Sequence, residues 1–211
     1  MLKSLLSATL AAAFLAMPAF AEDLSVGHTK GSKDAPLTLI EYGSLTCGGC
    51  KYFHDKILPR IEADYVETGK VRFIFREVLR NDVDTALVAM ARCAGEDKFF
   101  EATDAMFEHQ PEIIKSAQAG TLLDTFVDIG APYGITNVDA FNSCYADMSI
   151  RLDMIEVQES ANQYDLHGTP TLVINGEEKY VDDDFNSADA FAAYLDAELA
   201  ALPDSPAAQA E

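Results

Sequence analysis

The stretch Leu37-Thr38-Leu39-Ile40-Glu41-Tyr42-Gly43-Ser44-Leu45-Thr46-Cys47-Gly48-Gly49-Cys50 decides the fold expected of this chain. Its first six residues are rich in apolar and β-branched side chains, so they predict a buried β-strand that ends at Gly43. The loop Ser44 to Thr46 then delivers Cys47 to the first turn of a helix.

The helix after Cys47 is expected to run to about Thr68, because its apolar residues recur at helical spacing and Gly69 supplies a C-terminal stop. Pro59 should kink this helix, since proline lacks a backbone N–H. Val71 to Phe75 predicts a second strand. The order strand, helix, strand predicts two parallel strands joined by a right-handed crossover.

From about Asp82 to Asp165 the apolar pattern is helical nearly throughout, with breaks expected near Pro111, Gly120 and residues 130–134. The candidate helices are 83–94, 97–108, 121–129, 138–146 and 147–165.

Strand signals return at Thr171 to Ile174, and Asn175-Gly176 predicts a tight hairpin turn into a strand at Lys179 to Val181. Ser187 is expected to cap a last helix that ends at Pro203. The chain is therefore predicted to be an α/β protein. Residues 22–80 and 166–202 form one domain, residues 81–165 a helical insertion, and residues 203–211 a flexible tail.

The first residues indicate export. Lys3 is followed by an apolar run, Leu5 to Met17, of about the length of a signal-peptide core, and Ala19-Phe20-Ala21 offers small residues to a signal peptidase. The alternative is a membrane anchor, but spanning a bilayer takes roughly 20 apolar residues. We expect residues 1–21 to be a signal peptide cleaved after Ala21, which leaves a periplasmic protein that is not embedded in a membrane.

Composition narrows the class of partner. Hydrophobic residues make up 49% of the chain, which indicates a globular protein. The formal net charge is −20, and such an acidic surface repels phosphate backbones. We therefore expect no nucleic-acid partner.

The Cys47-Gly48-Gly49-Cys50 motif indicates redox chemistry. Residues three apart share a helix face, so the two sulfurs can close a local disulfide. At the start of a helix the first sulfur meets free N–H groups and the positive end of the dipole, which favour the thiolate. A static staple and half of a metal site are the alternatives. A disulfide that encloses only two residues removes little entropy from the unfolded chain, which argues against a static staple. A structural zinc site needs a second ligand pair, which argues against half of a metal site.

Two further elements accompany the cysteines. Glu41 lies six residues before Cys47, where a buried acid could exchange a proton with Cys50 through water; a carboxylate facing solvent is the alternative. Gly168-Thr169-Pro170 directly precedes the returning strand, and a proline at that place often marks a tight turn, which is where cis peptide bonds occur.

Together these pieces resemble the DsbA-like thiol:disulfide oxidoreductases of the thioredoxin superfamily, over essentially the whole mature chain. The resemblance implies a thioredoxin-like fold with an inserted helical domain. It implies that Cys47 is the exposed nucleophile, Cys50 the resolving thiol and Glu41 the buried acid. It makes Pro170 a cis-proline against the disulfide, and gives Thr169 backbone hydrogen bonds to an extended substrate. The matching pieces are Leu39-Ile40-Glu41-Tyr42, Cys47-Gly48-Gly49-Cys50-Lys51-Tyr52-Phe53-His54, Gly168-Thr169-Pro170-Thr171 and Val173-Ile174-Asn175-Gly176.

The resemblance implies an enzyme that introduces disulfides into exported cysteine-containing proteins and is re-oxidised by a membrane quinone-linked oxidase. We expect no cofactor and no metal. A disulfide isomerase or reductase is the nearest alternative, but such proteins usually oligomerise through an N-terminal extension. Only about 15 residues precede the first strand here, so a monomer and an oxidase are expected. A thiol-based copper-binding or metal-delivery protein is the non-enzymatic alternative.

One position departs from the family pattern. The strongest oxidases of this kind often carry a histidine before the second cysteine, where this chain has Gly49. We expect a weaker oxidant, because only backbone amides and the helix dipole are left to stabilise the Cys47 thiolate.

The other two cysteines, Cys93 and Cys144, lie among apolar neighbours in the helical block. We predict a structural disulfide between them, with two buried reduced thiols as the alternative.

Among the histidines, His167 precedes the Gly168-Thr169-Pro170 loop and is a candidate for substrate contact, although a solvated loop residue is the simpler interpretation. His54 is interpreted as a packing or surface residue. His28 and His109 lie at no spacing from other candidate residues that would indicate a catalytic or metal-binding partner.

Overall fold

The computed structural model of the chain describes residues 23–164, 166–180 and 185–202. The predicted signal peptide, residues 1–21 with cleavage after Ala21, and the predicted tail, residues 203–211, lie outside the described residues. So does Val181, the last residue of the predicted return strand.

The described strands form one sheet in the order β1-β3-β2-β4-β5. β2 lies in the middle, parallel to β3 and antiparallel to β4. β1 and β5 complete the edges, each antiparallel to its neighbour. The strands are β1 (His28–Lys30), β2 (Leu37–Gly43), β3 (Val71–Glu77), β4 (Thr171–Ile174) and β5 (Glu177–Tyr180).

The helical run between β2 and β3 begins at Gly48 and ends at Val66, close to the bounds predicted from the sequence. It is not regular: α1 (Gly48–Tyr52) and α2 (Leu58–Ile61) are each followed by a π-helical turn, Phe53–Ile57 and Glu62–Val66. Pro59 lies in the first turn of α2, directly after the first π-turn. The missing N–H of proline is tolerated there.

The block between β3 and β4 is helical, as predicted. Its helices are α3 (Asp82–Cys93), α4 (Phe99–Glu108), α5 (Gln110–Ala119), α6 (Leu122–Gly130), α7 (Val138–Tyr145) and α8 (Met148–Ala161). The last helix, α9 (Ala188–Ala201), follows β5, and the Ser187 hydroxyl accepts a hydrogen bond from the Ala190 N–H at 3.2 Å, as expected of its cap.

Two elements were not anticipated. The break expected near Pro111 is present at His109, between α4 and α5, but α5 itself was not among the candidate helices. Pro111 lies in the first turn of α5, where a helix needs no N–H and the fixed φ of proline fits. β1 lies among the residues that were expected to precede the first strand. Its three residues are too few to show a strand period, and pairing with β3 creates the strand.

Alternation along β2 places its side chains in two different cores. Leu37 and Leu39 face the larger core, beneath the helical run that starts at Gly48, whereas Ile40 and Tyr42 face a smaller one on the other side of the sheet. Glu41 shares the face of Leu37 and Leu39, because residues two apart point the same way. A carboxylate is thereby placed inside the larger core, under the helix that carries both cysteines.

Candidate active site

Cys47 caps the helical run. Its backbone is extended (φ −88°, ψ 125°) and α1 begins at the next residue. The side chain is 9% exposed, so the prediction of an exposed nucleophile needs correction. The Thr169-Pro170 loop covers the sulfur, whose thiol donates to the Thr169 carbonyl oxygen at 3.1 Å. Cys50, one turn on, is fully buried.

The surroundings of Cys47 favour its thiolate form over the thiol that donates to the Thr169 carbonyl. A hydrogen bond from the Cys50 thiol is the largest cause that lowers the pKa of Cys47, which falls to about 4. Thr169 and the backbone N–H groups of Cys50 and Gly49 add to this effect and outweigh burial. The Thr169 hydroxyl is buried and has no hydrogen-bond partner within the described part of the chain, so it is free to donate to the thiolate.

Cys50 has the opposite character. Burial raises its pKa well above that of an ordinary thiol, and Cys47 and Glu41 raise it further. The Cys50 sulfur accepts a hydrogen bond from the Ser44 N–H at 3.3 Å. The pKa of Cys47 is therefore lowered and that of Cys50 is raised, and a thiol of low pKa is the better leaving group and is a nucleophile at neutral pH.

Glu41 is completely buried on β2. Its Oε2 atom lies 2.9 Å from Nε2 of His54, which is also buried. Burial alone would lower the pKa of His54, but Glu41 and Asp104 outweigh it and raise that pKa to about 9. His54 belongs to this ionic cluster rather than being a surface residue. Its seven-residue distance from Cys47, two turns along the same helix, was the available sequence signal.

The loop before Cys47 is held by Asp84, which sequence reasoning missed. The buried Asp84 carboxylate accepts hydrogen bonds from the Ser44 hydroxyl and from both the N–H and the hydroxyl of Thr46, each at 3.0 Å. On the other side, the buried Gln110 amide donates to the carbonyls of Leu45 and Cys47 at 2.8 and 3.0 Å. Nothing in the sequence links Asp84 and Gln110 to the loop. Asp84 belongs to α3, at least 38 residues away, and Gln110 belongs to α5, at least 63 residues away.

The loop from His167 to Pro170 forms the opposite wall. The Thr169–Pro170 peptide bond is cis, and Pro170 is buried. His167 is exposed and lines two cavities beside the cysteines. One cavity, of about 470 Å³, is bordered by Gly49, Tyr52 and Asn186 together with this loop. An extended polypeptide could lie along it.

Cys93 and Cys144 are joined by a disulfide between α3 and α7, with their Cα atoms 6.0 Å apart. Within residues 23–164, 166–180 and 185–202, no group of three or more His, Cys, Asp or Glu side chains is placed to hold a metal ion. The same residues contain no helix of sufficient length and apolarity to cross a membrane.

A sequence model of the thioredoxin family matches residues 24–197. This chain belongs to the thioredoxin family. A Rickettsia bellii relative, provisionally named protein-disulfide oxidoreductase, is 29% identical over 148 residues, which cover 69% of this chain and 56% of the relative. Disulfide bond formation protein D of Bacillus subtilis is 34% identical over 86 residues, 39% of each protein. The chain spans about half the length of the first of these relatives.

Solved structures place the chain among the DsbA-like thioredoxin folds with a helical insertion, as predicted. Bacillus subtilis BdbD in its oxidised form superposes with a TM-score of 0.67 at 20% identity, over 82% of this chain and 92% of BdbD. Wolbachia pipientis α-DsbA1 superposes with a TM-score of 0.66 at 24% identity, over 81% of this chain and 89% of that one.

Proposed function

We propose that this thioredoxin-family protein is an exported thiol:disulfide oxidoreductase that introduces disulfides into cysteine-containing proteins. The observation that carries the proposal is the seating of Cys47 at a helix start, against the Thr169-Pro170 loop, with its pKa lowered to about 4. The names of the Rickettsia and Bacillus relatives point to the same chemistry.

In the proposed reaction a substrate thiolate attacks Cys47 Sγ of the oxidised pair. The Cys47–Cys50 bond breaks, and Cys50 leaves with the electron pair and takes up a proton. The second substrate thiolate then attacks the substrate sulfur of the mixed disulfide and expels Cys47 as a thiolate. The substrate loses two electrons and the cysteine pair gains them.

We assign Cys47 as the nucleophile, Cys50 as the resolving thiol and Glu41 as the acid that exchanges its proton. Thr169, Pro170 and His167 are assigned to the substrate, which would lie in the cavity beside them. The Cys93–Cys144 disulfide is assigned a structural role. The proposed boundaries are 22–80 and 166–202 for the thioredoxin-like domain and 81–165 for the insertion.

An oxidase is favoured over an isomerase or reductase because a thiolate stabilised at Cys47 favours the reduced pair, which makes the oxidised pair the better electron acceptor. Periplasmic location, a monomeric state and a membrane quinone-linked re-oxidant belong to the same proposal. In the part of the chain that the structure describes, no observation favours a metal-delivery protein.

Thiol trapping in the producing cell tests this function. Acid quenching followed by alkylation with a mass-tagged maleimide reports how much of the Cys47–Cys50 pair is oxidised, and a Cys47→Ser/Cys50→Ser variant marks the unmodified position. A mostly oxidised pair supports the oxidase. A mostly reduced pair overturns it in favour of an isomerase or reductase.

A further inference from the structure

His54 lies between two carboxylates that differ in their access to solvent. Its Nε2 atom is 2.9 Å from Oε2 of Glu41, whose side chain is 0% exposed. Its Nδ1 atom is 3.8 Å from Oδ1 of Asp104, whose side chain is 55% exposed. Glu41, His54 and Asp104 thus form a row of titratable groups from the core to the surface.

Aromatic rings enclose the imidazole. Phe107 from α4 lies 4.1 Å from it between ring centroids, and Phe75 from β3 meets it edge-on at 5.6 Å. These rings neither donate nor accept a proton, and they keep the surroundings of His54 low in dielectric. The contacts through which His54 can exchange a proton are those of its two nitrogens with Glu41 and Asp104.

The charged groups around His54 come from three elements. β2 supplies Glu41, α4 supplies Asp104, and the helical run of His54 itself supplies Asp55 and Glu62 at the rim of a cavity of about 140 Å³. His54 and Asp104 also line this cavity. A separation of 3.8 Å is too long for a direct hydrogen bond, but a water in such a cavity can bridge it.

The second carboxylate oxygen of Glu41 is not used in the contact with His54. This atom, Oε1, is buried and has no hydrogen-bond partner in the part of the chain that the structure describes. A Cβ atom at Gly43 would lie 2.8 Å from this oxygen, so the glycine leaves room for it. Ser44, the residue after Gly43, donates its N–H to the Cys50 sulfur at 3.3 Å, so the sulfur lies next to the same chain segment as this oxygen. The charge of Glu41 is also among the causes that raise the pKa of Cys50.

We propose that His54 is a positioning residue that acts through Glu41 and carries protons between the buried Glu41–Cys50 pair and Asp104 at the surface. The inference rests on the proposed function and assigns its proton path.

Consider the reaction in which Cys50 resolves a mixed disulfide on Cys47. The Cys50 thiol gives its proton to Glu41, and the resulting thiolate attacks Cys47 Sγ and expels the partner thiolate. As Glu41 is neutralised, the His54 imidazolium releases its Nδ1 proton toward Asp104 and solvent. One proton enters the Glu41–His54 pair and one leaves it. When Cys50 is instead the leaving group, the same movements run in reverse.

Oxidised glutathione separates the two chemical steps. Mixing it with the reduced protein forms a Cys47–glutathione mixed disulfide at a rate proportional to its concentration. Cys50 then releases glutathione in a step independent of that concentration. Acid quenching and mass spectrometry follow both species. The first step uses the Cys47 thiolate and needs no proton from Cys50, so it tests the proposed function alone.

The variant His54→Gln tests the relay, because glutamine can donate a hydrogen bond to Glu41 but does not titrate. We expect it to form the mixed disulfide at the wild-type rate and to resolve it about tenfold more slowly at pH 7. This is less than the roughly hundredfold or larger effect of a direct acid–base group, because His54 acts through Glu41. Its resolution rate should rise more steeply between pH 6 and 8 than that of the wild type. In a Glu41→Gln background, His54→Gln should have no further effect.

Asp104→Asn should slow resolution by a smaller factor, while Glu108→Gln, an exposed change one turn along the same helix, should leave it unchanged. Resolution by His54→Gln at the wild-type rate and with the wild-type pH slope would overturn the relay. So would independent, multiplicative effects of Glu41→Gln and His54→Gln. Failure of the wild type to form any mixed disulfide would instead refute the proposed function.

Discussion

The Sγ atom of Cys47 lies 3.1 Å from the carbonyl oxygen of Thr169, although 122 residues separate them along the chain. Strand pairing brings them together. β4 runs antiparallel to β2 with Thr171 opposite Tyr42, so the loop that enters β4 meets the loop that leaves β2. The helical block between these strands does not interrupt their pairing, and the site depends on both loops.

The titration of Cys47 is the first consequence. Alkylation of the reduced protein with iodoacetamide should show a midpoint near pH 4, because hydrogen bonds with Cys50, Thr169 and the first amides of α1 stabilise the thiolate. In Cys50→Ala the midpoint should rise, since the Cys50 hydrogen bond is the largest cause. A wild-type midpoint near 8.5, the value of an ordinary cysteine, would contradict the geometry.

Stability should depend on pH through His54. Its pKa is raised in the folded protein from 6.5 to about 9, so its ion pair with Glu41 contributes fully below pH 6.5 and is lost as pH rises through 9. Relative to His54→Gln, the wild type should lose on the order of 3 kcal/mol of unfolding free energy across that window. Urea unfolding from pH 6 to 9.5 measures it. A difference that stays constant with pH would show that His54 does not titrate there.

Replacement of Gly49 by histidine should make the cysteine pair more oxidising. An imidazolium beside Cys47 adds to thiolate stabilisation and thereby favours the reduced pair. A Cβ atom at this position lies 3.2 Å from Pro170 Cδ and 3.7 Å from Cys47 Sγ, so Gly49→Ala controls for crowding. Equilibration with a glutathione buffer measures both potentials. An equal shift in the two variants would assign the effect to crowding.

Removal of the Asp84 carboxylate should loosen the active-site loop. In Asp84→Ala the Ser44 hydroxyl and the Thr46 N–H lose their buried acceptor, which should cost about 2–4 kcal/mol of unfolding free energy. Asp82→Ala, an exposed change in the same helical turn, is the control and should cost far less. Equal losses of unfolding free energy in the two variants would mean that Asp84 stabilises the protein only as an acidic residue in the first turn of α3, through the helix dipole.

The disulfide of the helical block should stabilise the fold without entering the reaction. Cys93→Ala/Cys144→Ala should lower the unfolding free energy by roughly 4 kcal/mol, since a loop of about 50 residues is released in the unfolded chain. The rate at which Cys47 reacts with oxidised glutathione should not change. A slower reaction in this variant would instead tie the disulfide to the active site.

The sequence carried most of the fold because its signals are local. The apolar run of β2, the cysteine pair at a helix start and the Asn175-Gly176 turn each depend on residues a few positions apart. β1 and α5 were not predicted from the sequence, because neither has a distinct local signal. β1 is formed by pairing with β3, and Pro111 marks a helix start as well as it marks a break.

By itself the sequence determined which thiol meets the helix start and which acid lies on the strand before it, because both follow from spacing along one chain segment. Only the tertiary structure decided that His54 joins Glu41 to Asp104, that Asp84 and Gln110 hold the cysteine loop, and that Thr169 covers Cys47. These contacts join residues from 13 to 122 positions apart. Strand order and helix packing set such distances, and local side-chain patterns do not encode them.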